Sequence, residues 1–180
     1  MGYTIKHLAV AKVDGNNVEL RAHPALIDLN SHLANLKGVR NGIEIDTDLV
    51  GKIHIAGSGA GQESTASGLI SDLIHLVNTL GLSFDSGSEV SLNLSLMPFS
   101  ELDFQYYFYI EAQDIPGVMA SITSLLASKG IGIESIIQKT ELGQNLVPII
   151  LITDSFKDKN HAPLQTELLA LDSVKKIRSF

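Results

Sequence analysis

The chain has 180 residues, 44% apolar and 18% charged, with no cysteine and a formal charge of −7. That length suits one medium domain or two small ones, and the lack of thiols excludes structural disulfides and zinc–thiolate centres. The acidic balance argues against nucleic acid, whose phosphates call for clustered Lys and Arg, and no apolar run reaches the roughly 18 residues of a membrane span.

The opening residues, Met1 to His7, are too polar for a signal-peptide core, so a soluble cytoplasmic protein is the expectation. Tyr3, Ile5, Ala9 and Ala11 alternate with Thr4, Lys6, Leu8 and Val10, the pattern of a strand buried on both faces. Asp14-Gly15-Asn16-Asn17 has hairpin-turn composition, and Val18 to Leu26 reads as the returning strand. Asn30 and Ser31 can cap a short helical turn that runs to Leu36 and stops at Gly38. Val39–Ile45 and Lys52–Ala56 form a second strand pair.

A glycine-rich loop, Gly57-Ser58-Gly59-Ala60-Gly61, leads into the clearest helix of this half. Leu69, Ile70, Leu73, Ile74, Val77 and Leu80 make one apolar stripe, expected to be core, and Gly81 is placed to close the helix. The loop departs from the dinucleotide fingerprint, which needs a third glycine where Gln62 stands. On motif grounds it is either a ligand cradle or a tight strand-to-helix turn. Residues 83–103 lack sustained periodicity and read as a linker, so the expected division is 1–82, 83–103 and 104–180.

The second half has a cleaner pattern. Tyr106–Ala112 is an aromatic-rich strand, and Asp114-Ile115-Pro116-Gly117 enters a helix lined by Val118, Ile122, Leu125 and Leu126 and ended by Gly130. In that loop Asp114 suits the cap and Pro116 the first turn. Ile131–Gln138 and Val147–Thr153 follow as strands, with a turn at Gly143-Gln144-Asn145. His161–Leu171 is a second helix and Val174–Phe180 the last strand. Two right-handed crossovers in this order place four antiparallel strands under two helices, leaving one largely apolar sheet face bare and suited to pairing with another copy.

Isolated histidines without carboxylates at ligand spacing give no metal site, and no Gly-x-Ser-x-Gly motif points to a hydrolase. The basic residues Lys175, Lys176 and Arg178 would split between the two faces of the last strand.

The run Glu111-Ala112-Gln113-Asp114-Ile115-Pro116-Gly117-Val118-Met119-Ala120, with Leu126 to Ser135 after it, resembles the ACT family. The resemblance implies a small amino-acid effector bound at Asp114, Gly117, Val118 and Met119 and at Ile133, Ser135 and Ile137 on the facing strand. Physically, a glycine at a helix N-terminus lets a carboxylate approach free backbone N–H groups. A module that only dimerises is the other reading of this half.

Arg21-Ala22-His23-Pro24-Ala25-Leu26-Ile27, Leu33 to Asn41, and the glycine loop before Thr65-Ala66-Ser67 resemble, in matching order, the C-terminal portion of the homoserine dehydrogenase family. That resemblance implies an α+β chain, with part of a mixed α/β substrate and dimerisation domain ahead of a ferredoxin-like βαββαβ ACT domain. It also implies an NAD(P)-dependent oxidoreductase of threonine and methionine biosynthesis, converting aspartate semialdehyde to homoserine. By the same resemblance Gly57, Gly59, Ala60, Gly61 and Thr65 border NAD or NADP, and threonine is the expected effector of an allosterically regulated homodimer. The family's catalytic Lys and Asp lie upstream of this sequence, and Ser31 falls where the family has its histidine, with His32 one position late. The expectation is therefore a regulatory and dimerising fragment without catalytic residues or a cofactor of its own. The alternative is a free-standing ACT-type module.

Overall fold

Gly15, in the left-handed region at φ +57°, makes the turn between the two long strands that open the chain, β1 (Tyr3–Asp14) and β2 (Asn17–Asp28). The computed structural model describes residues 2–80, 93–139 and 145–179. The chain forms two compact units, Met1–Leu8 with Pro24–Leu92 and Ala9–His23 with Asn93–Phe180, so the β1–β2 hairpin contributes to both.

In the first unit a short 3-10 turn, Leu33–Asn35, precedes the antiparallel ribbon of β3 (Arg40–Thr47) and β4 (Gly51–Ser58). Ile43 pairs with Ile55 and Ile45 with Ile53, which gathers four isoleucines on one face. Glu44 and His54 pair on the other face. Helix α1 (Gln62–Thr79) follows. Its apolar stripe is not core within this chain: exposures run from 53% at Leu73 to 71% at Leu80. Periodicity identifies which helix face seeks cover; it does not say what supplies the cover. Gly81 lies outside the described residues.

In the second unit β5 (Ser95–Leu96) runs parallel to β2 beside Asn17 and Val18, and β6 (Asp103–Phe104) pairs with β10 (Phe156–Lys157). The rest is β7 (Tyr107–Gln113), α2 (Val118–Ser128), β8 (Ile133–Gln138), β9 (Leu146–Thr153), α3 (His161–Leu169) and β11 (Val174–Ser179). The antiparallel sheet has the order β11-β7-β9-β8, the ferredoxin-like arrangement expected from the sequence. Alternate residues of β7, Phe108, Ile110 and Ala112, are fully buried with Ile122 and Leu126 of α2 and Leu168 of α3. Each such large side chain contributes about 1.5–3 kcal/mol on leaving water.

α2 ends in a Schellman motif: Gly130, at φ +69°, donates to the Ala127 carbonyl, and Ile131 donates to that of Leu126. Its start differs from the expected cap. Gly117 is the N-cap residue at φ +95°, no side chain caps the helix, and Asp114 instead donates its backbone N–H to the Asn145 carbonyl at 2.8 Å. The left-handed glycine delays the first helical residue to Val118. Of the Gly143-Gln144-Asn145 turn, the first two residues lie outside the described residues.

The sheet face opposite the helices carries Tyr107, Tyr109, Ile137, Ile150 and Ile152, with Glu111 and Arg178 toward the β11 edge. It is less bare than expected: Ile150 and Ile152 are only 7% and 4% exposed. Each is flanked across the ladder, Ile150 by Tyr109 and Ile137, Ile152 by Tyr107 and Ser135.

At the edge of the core cluster that includes it, Tyr106 stacks on His161 with centroids 4.1 Å apart and donates its hydroxyl to Asp158 at 2.7 Å. Burial first, then that carboxylate, pushes the Tyr106 phenol up.

Candidate functional site

The loop between β7 and α2 closes one end of a cavity of about 400 Å³. Gln113, Asp114, Ile115, Pro116, Gly117, Val118 and Met119 line it from the loop and first helical turn, and Gln138, Val147 and Ile149 from the sheet. Backbone bonds fix the loop at its start, from Gln113 N–H to the Ser173 carbonyl and from Asp114 N–H to that of Asn145, both 2.8 Å. Of the first-turn amides of α2, that of Val118 donates to the Ile115 carbonyl at 3.5 Å; the next ones have no intrahelical carbonyl to meet, and no side chain caps them.

Among the described residues the lining holds no Lys, Arg or His. A bound carboxylate would therefore rely on helix N-terminal amides, and an ammonium on the Asp114 carboxylate. Gln113 and Gln138 add two carboxamides able to donate and accept. Val147 and Ile149 supply an apolar floor.

Of the residues singled out in the sequence, Asp114, Gly117, Val118 and Met119 meet here, whereas Ile133, Ser135 and Ile137 lie outside the lining. The β8 register explains this. Ser135 and Ile137 pair with Ile152 and Ile150 on the face away from the helices, while Gln138 pairs with Ile149 and points to the pocket side. A register shift between Ile133 and Ser135 puts Ile133 opposite Thr153 and against the core. Gln113 and Gln138 were legible only as neighbours of the signature loop. Gln138 needed the bulge to be known.

The glycine loop of the first unit begins within the last two residues of β4, Gly57 and Ser58, and reaches α1 through Gly61, the N-cap residue at φ +125°. Thr65 does not cap the helix; its backbone N–H bonds the Gly61 carbonyl at 3.0 Å, and the Ser64 hydroxyl donates to the same carbonyl at 3.1 Å. Gly57, Gly59, Ala60, Gly61 and Thr65 are all exposed. His32 lies with its ring 4.1 Å from that of His54, whose Nδ1 is 3.3 Å from Glu44. A hydrogen bond from Lys52 is the main cause that holds the Glu44 carboxyl below its usual range. Among the described residues no group of three or more His, Asp or Glu could hold a metal ion, and no helix is long and apolar enough to cross a membrane.

Residues 1–74 match the family model for homoserine dehydrogenase, and residues 106–174 match that for the ACT domain. The chain matches the C-terminal portion of homoserine dehydrogenase. The homoserine dehydrogenase of Pseudomonas aeruginosa is 36% identical over 97% of this chain and 42% of its own length. That of Neisseria gonorrhoeae is 34% identical over 98% and 42%. A homoserine dehydrogenase crystal structure from Thiobacillus denitrificans superposes with a TM-score of 0.80 and 32% identity, over 99% of this chain and 42% of that one. The enzyme from S. aureus, at 18% identity and a TM-score of 0.60, shares the fold. The chain thus spans about 42% of the length of the homoserine dehydrogenases it matches. A match over residues 1–74 beside the ACT domain favours this family over a free-standing ACT module.

Proposed function

We propose that the chain carries the amino-acid-sensing and dimer-forming part of a cytoplasmic homoserine dehydrogenase. Its effector is a small neutral amino acid, threonine first. The observation that carries this reading is the cavity at the start of α2, where Gly117 opens the backbone, Asp114 offers the one charge among the described lining residues, and two glutamines flank an apolar floor. A zwitterion with a short hydroxylated side chain meets each of these groups. In the reaction of the family, NAD(P)H reduces aspartate semialdehyde to homoserine. Gly57, Gly59, Ala60, Gly61 and Thr65 would border the nicotinamide cofactor, while hydride transfer itself draws on residues that this sequence does not contain. Residues 1–82 supply the end of the substrate and dimerisation domain, residues 83–103 connect, and residues 104–180 sense. Ile133, Ser135 and Ile137 belong to the effector response through the strand that carries Gln138.

Calorimetric titration of threonine into the 180-residue chain tests the proposal. Binding should release heat and raise the melting temperature, by about 2.7 kcal/mol of added stability at a hundred times Kd. Asp114→Ala should weaken binding by about ten- to a hundredfold, the worth of one charge-assisted hydrogen bond. Absence of both heat and a thermal shift up to millimolar threonine would refute sensing.

A further inference from the structure

Adjacent residues at the start of β3 face opposite ways, and each meets a part of the first unit that sequence motifs treat separately. On one face Gly42 has no room for a side chain: an added Cβ would come within 2.4 Å of Leu36 Cδ1 and 3.3 Å of Leu33 Cδ2. The turn after β2 therefore rests directly on the β3 backbone. On the other face Asn41 pairs with Gly57 across the ribbon and reaches beyond the last paired residues. Its carboxamide fills the place of the missing side chain of Gly59, where a Cβ would lie 1.9 Å from Asn41 Nδ2 and 2.4 Å from Cγ. The loop is tied at the same point by the Gly59 N–H, which donates to the Val39 carbonyl at 2.7 Å. Gly57, by contrast, faces open space.

We infer that Asn41 is the positioning residue of the Gly57–Gly61 turn, its carboxamide and the bare Cα of Gly59 forming a matched pair that sets the turn's path. The functional weight of this pair rests on the reading of the turn as the cofactor-facing loop. The pair explains why the middle glycine is needed although its φ is unremarkable: the constraint is the neighbour, not the backbone. Contacts then run without a break from Leu33 and Leu36 through Gly42 and Asn41 to Gly59.

The test uses the isotope-labelled 180-residue chain and four forms: wild type, Asn41→Ala, Gly59→Ala and the double variant. Wild type should show a nuclear Overhauser contact between the Asn41 side-chain amide and the Gly59 Hα protons. Asn41→Ala should shift the amide resonances of residues 57–61 and speed their hydrogen exchange severalfold, while the melting temperature and the β9 resonances stay put. Gly59→Ala should lower the melting temperature, and adding Asn41→Ala should restore much of the loss, because the clash goes with the carboxamide. An unperturbed loop in Asn41→Ala, or a double variant no more stable than Gly59→Ala, would overturn the inference. None of these readouts involves nucleotide, so they fail separately from the cofactor reading, which NADPH titration tests.

Discussion

Thr153 is the buried polar residue among those described, and it is fully enclosed. Its hydroxyl accepts the Tyr106 N–H at 3.0 Å while its own N–H donates to the Tyr106 carbonyl at 3.0 Å, so the pair closes on itself. Thr153→Val keeps the shape and strands a buried donor. The expected cost is about 1–3 kcal/mol in urea unfolding, more than a surface Thr→Val change would show. His161, stacked on Tyr106, accepts or donates one hydrogen bond with the Ser179 hydroxyl at 2.9 Å. Burial pushes its imidazole below the ordinary 6.5, and the Asp158 carboxylate offsets only part of this. A depressed histidine favours the fold while neutral, so its contribution is intact above pH 6.5 and is lost as acidity carries the pH down through the folded value. Unfolding free energies between pH 7.5 and pH 5 should fall for the native chain and fall less for His161→Phe, which keeps the ring stack. Gly117 was readable from its place after Ile-Pro. The Thr153 pair was not, because hydroxyl pairing across 47 positions leaves no local pattern.

Helices α1 and α2 look alike in sequence, each with apolar residues three and four apart, yet only α2 buries its stripe. Leu126 is completely enclosed and Leu73 is 53% exposed. Leu126→Ala should therefore cost about 2–5 kcal/mol through transfer and cavity terms, whereas Leu73→Ala should stay within about 0.5 kcal/mol in the isolated chain. Parallel chemical denaturation of the two variants checks the contrast. The βαββαβ order was legible because turn chemistry and period switch at every boundary of the second half. The pocket's sheet wall was harder. One register shift in β8 decides that Gln138, rather than Ser135 or Ile137, faces α2, and a bulge has no reliable sequence mark.

Across the molecule, burial is uneven. The core cluster lies wholly in the second unit, from Tyr106 to Val174, while Ala34 is the buried apolar residue described in the first. Local stability follows buried contacts, so amide exchange should be slowest in β7, β9 and α2 and markedly faster in α1. Exchange mass spectrometry reads this directly, and slow exchange in α1 at low protein concentration would contradict it. The four isoleucines of the β3–β4 ribbon and the α1 stripe are exposed apolar surfaces of the first unit, and the proposed dimer is expected to cover them. Raising the protein concentration should then slow exchange in the first unit selectively. The α1 stripe reads as core in the sequence because hydrophobic period reports a face to be covered and is silent on whether the cover is in the same chain.

Among the described residues the α2 cavity is lined by no Lys, Arg or His, and under the proposed sensing role this bears on which amino acids it would tell apart. Partial charges on main-chain amides attract a single carboxylate weakly and at short range, and Asp114 repels a second one. On that reading acidic amino acids should bind more weakly than neutral ones, a contrast that parallel calorimetric titrations of glutamate and threonine would check. A site so built would respond to neutral amino acids and stay silent to acidic ones, however abundant those became.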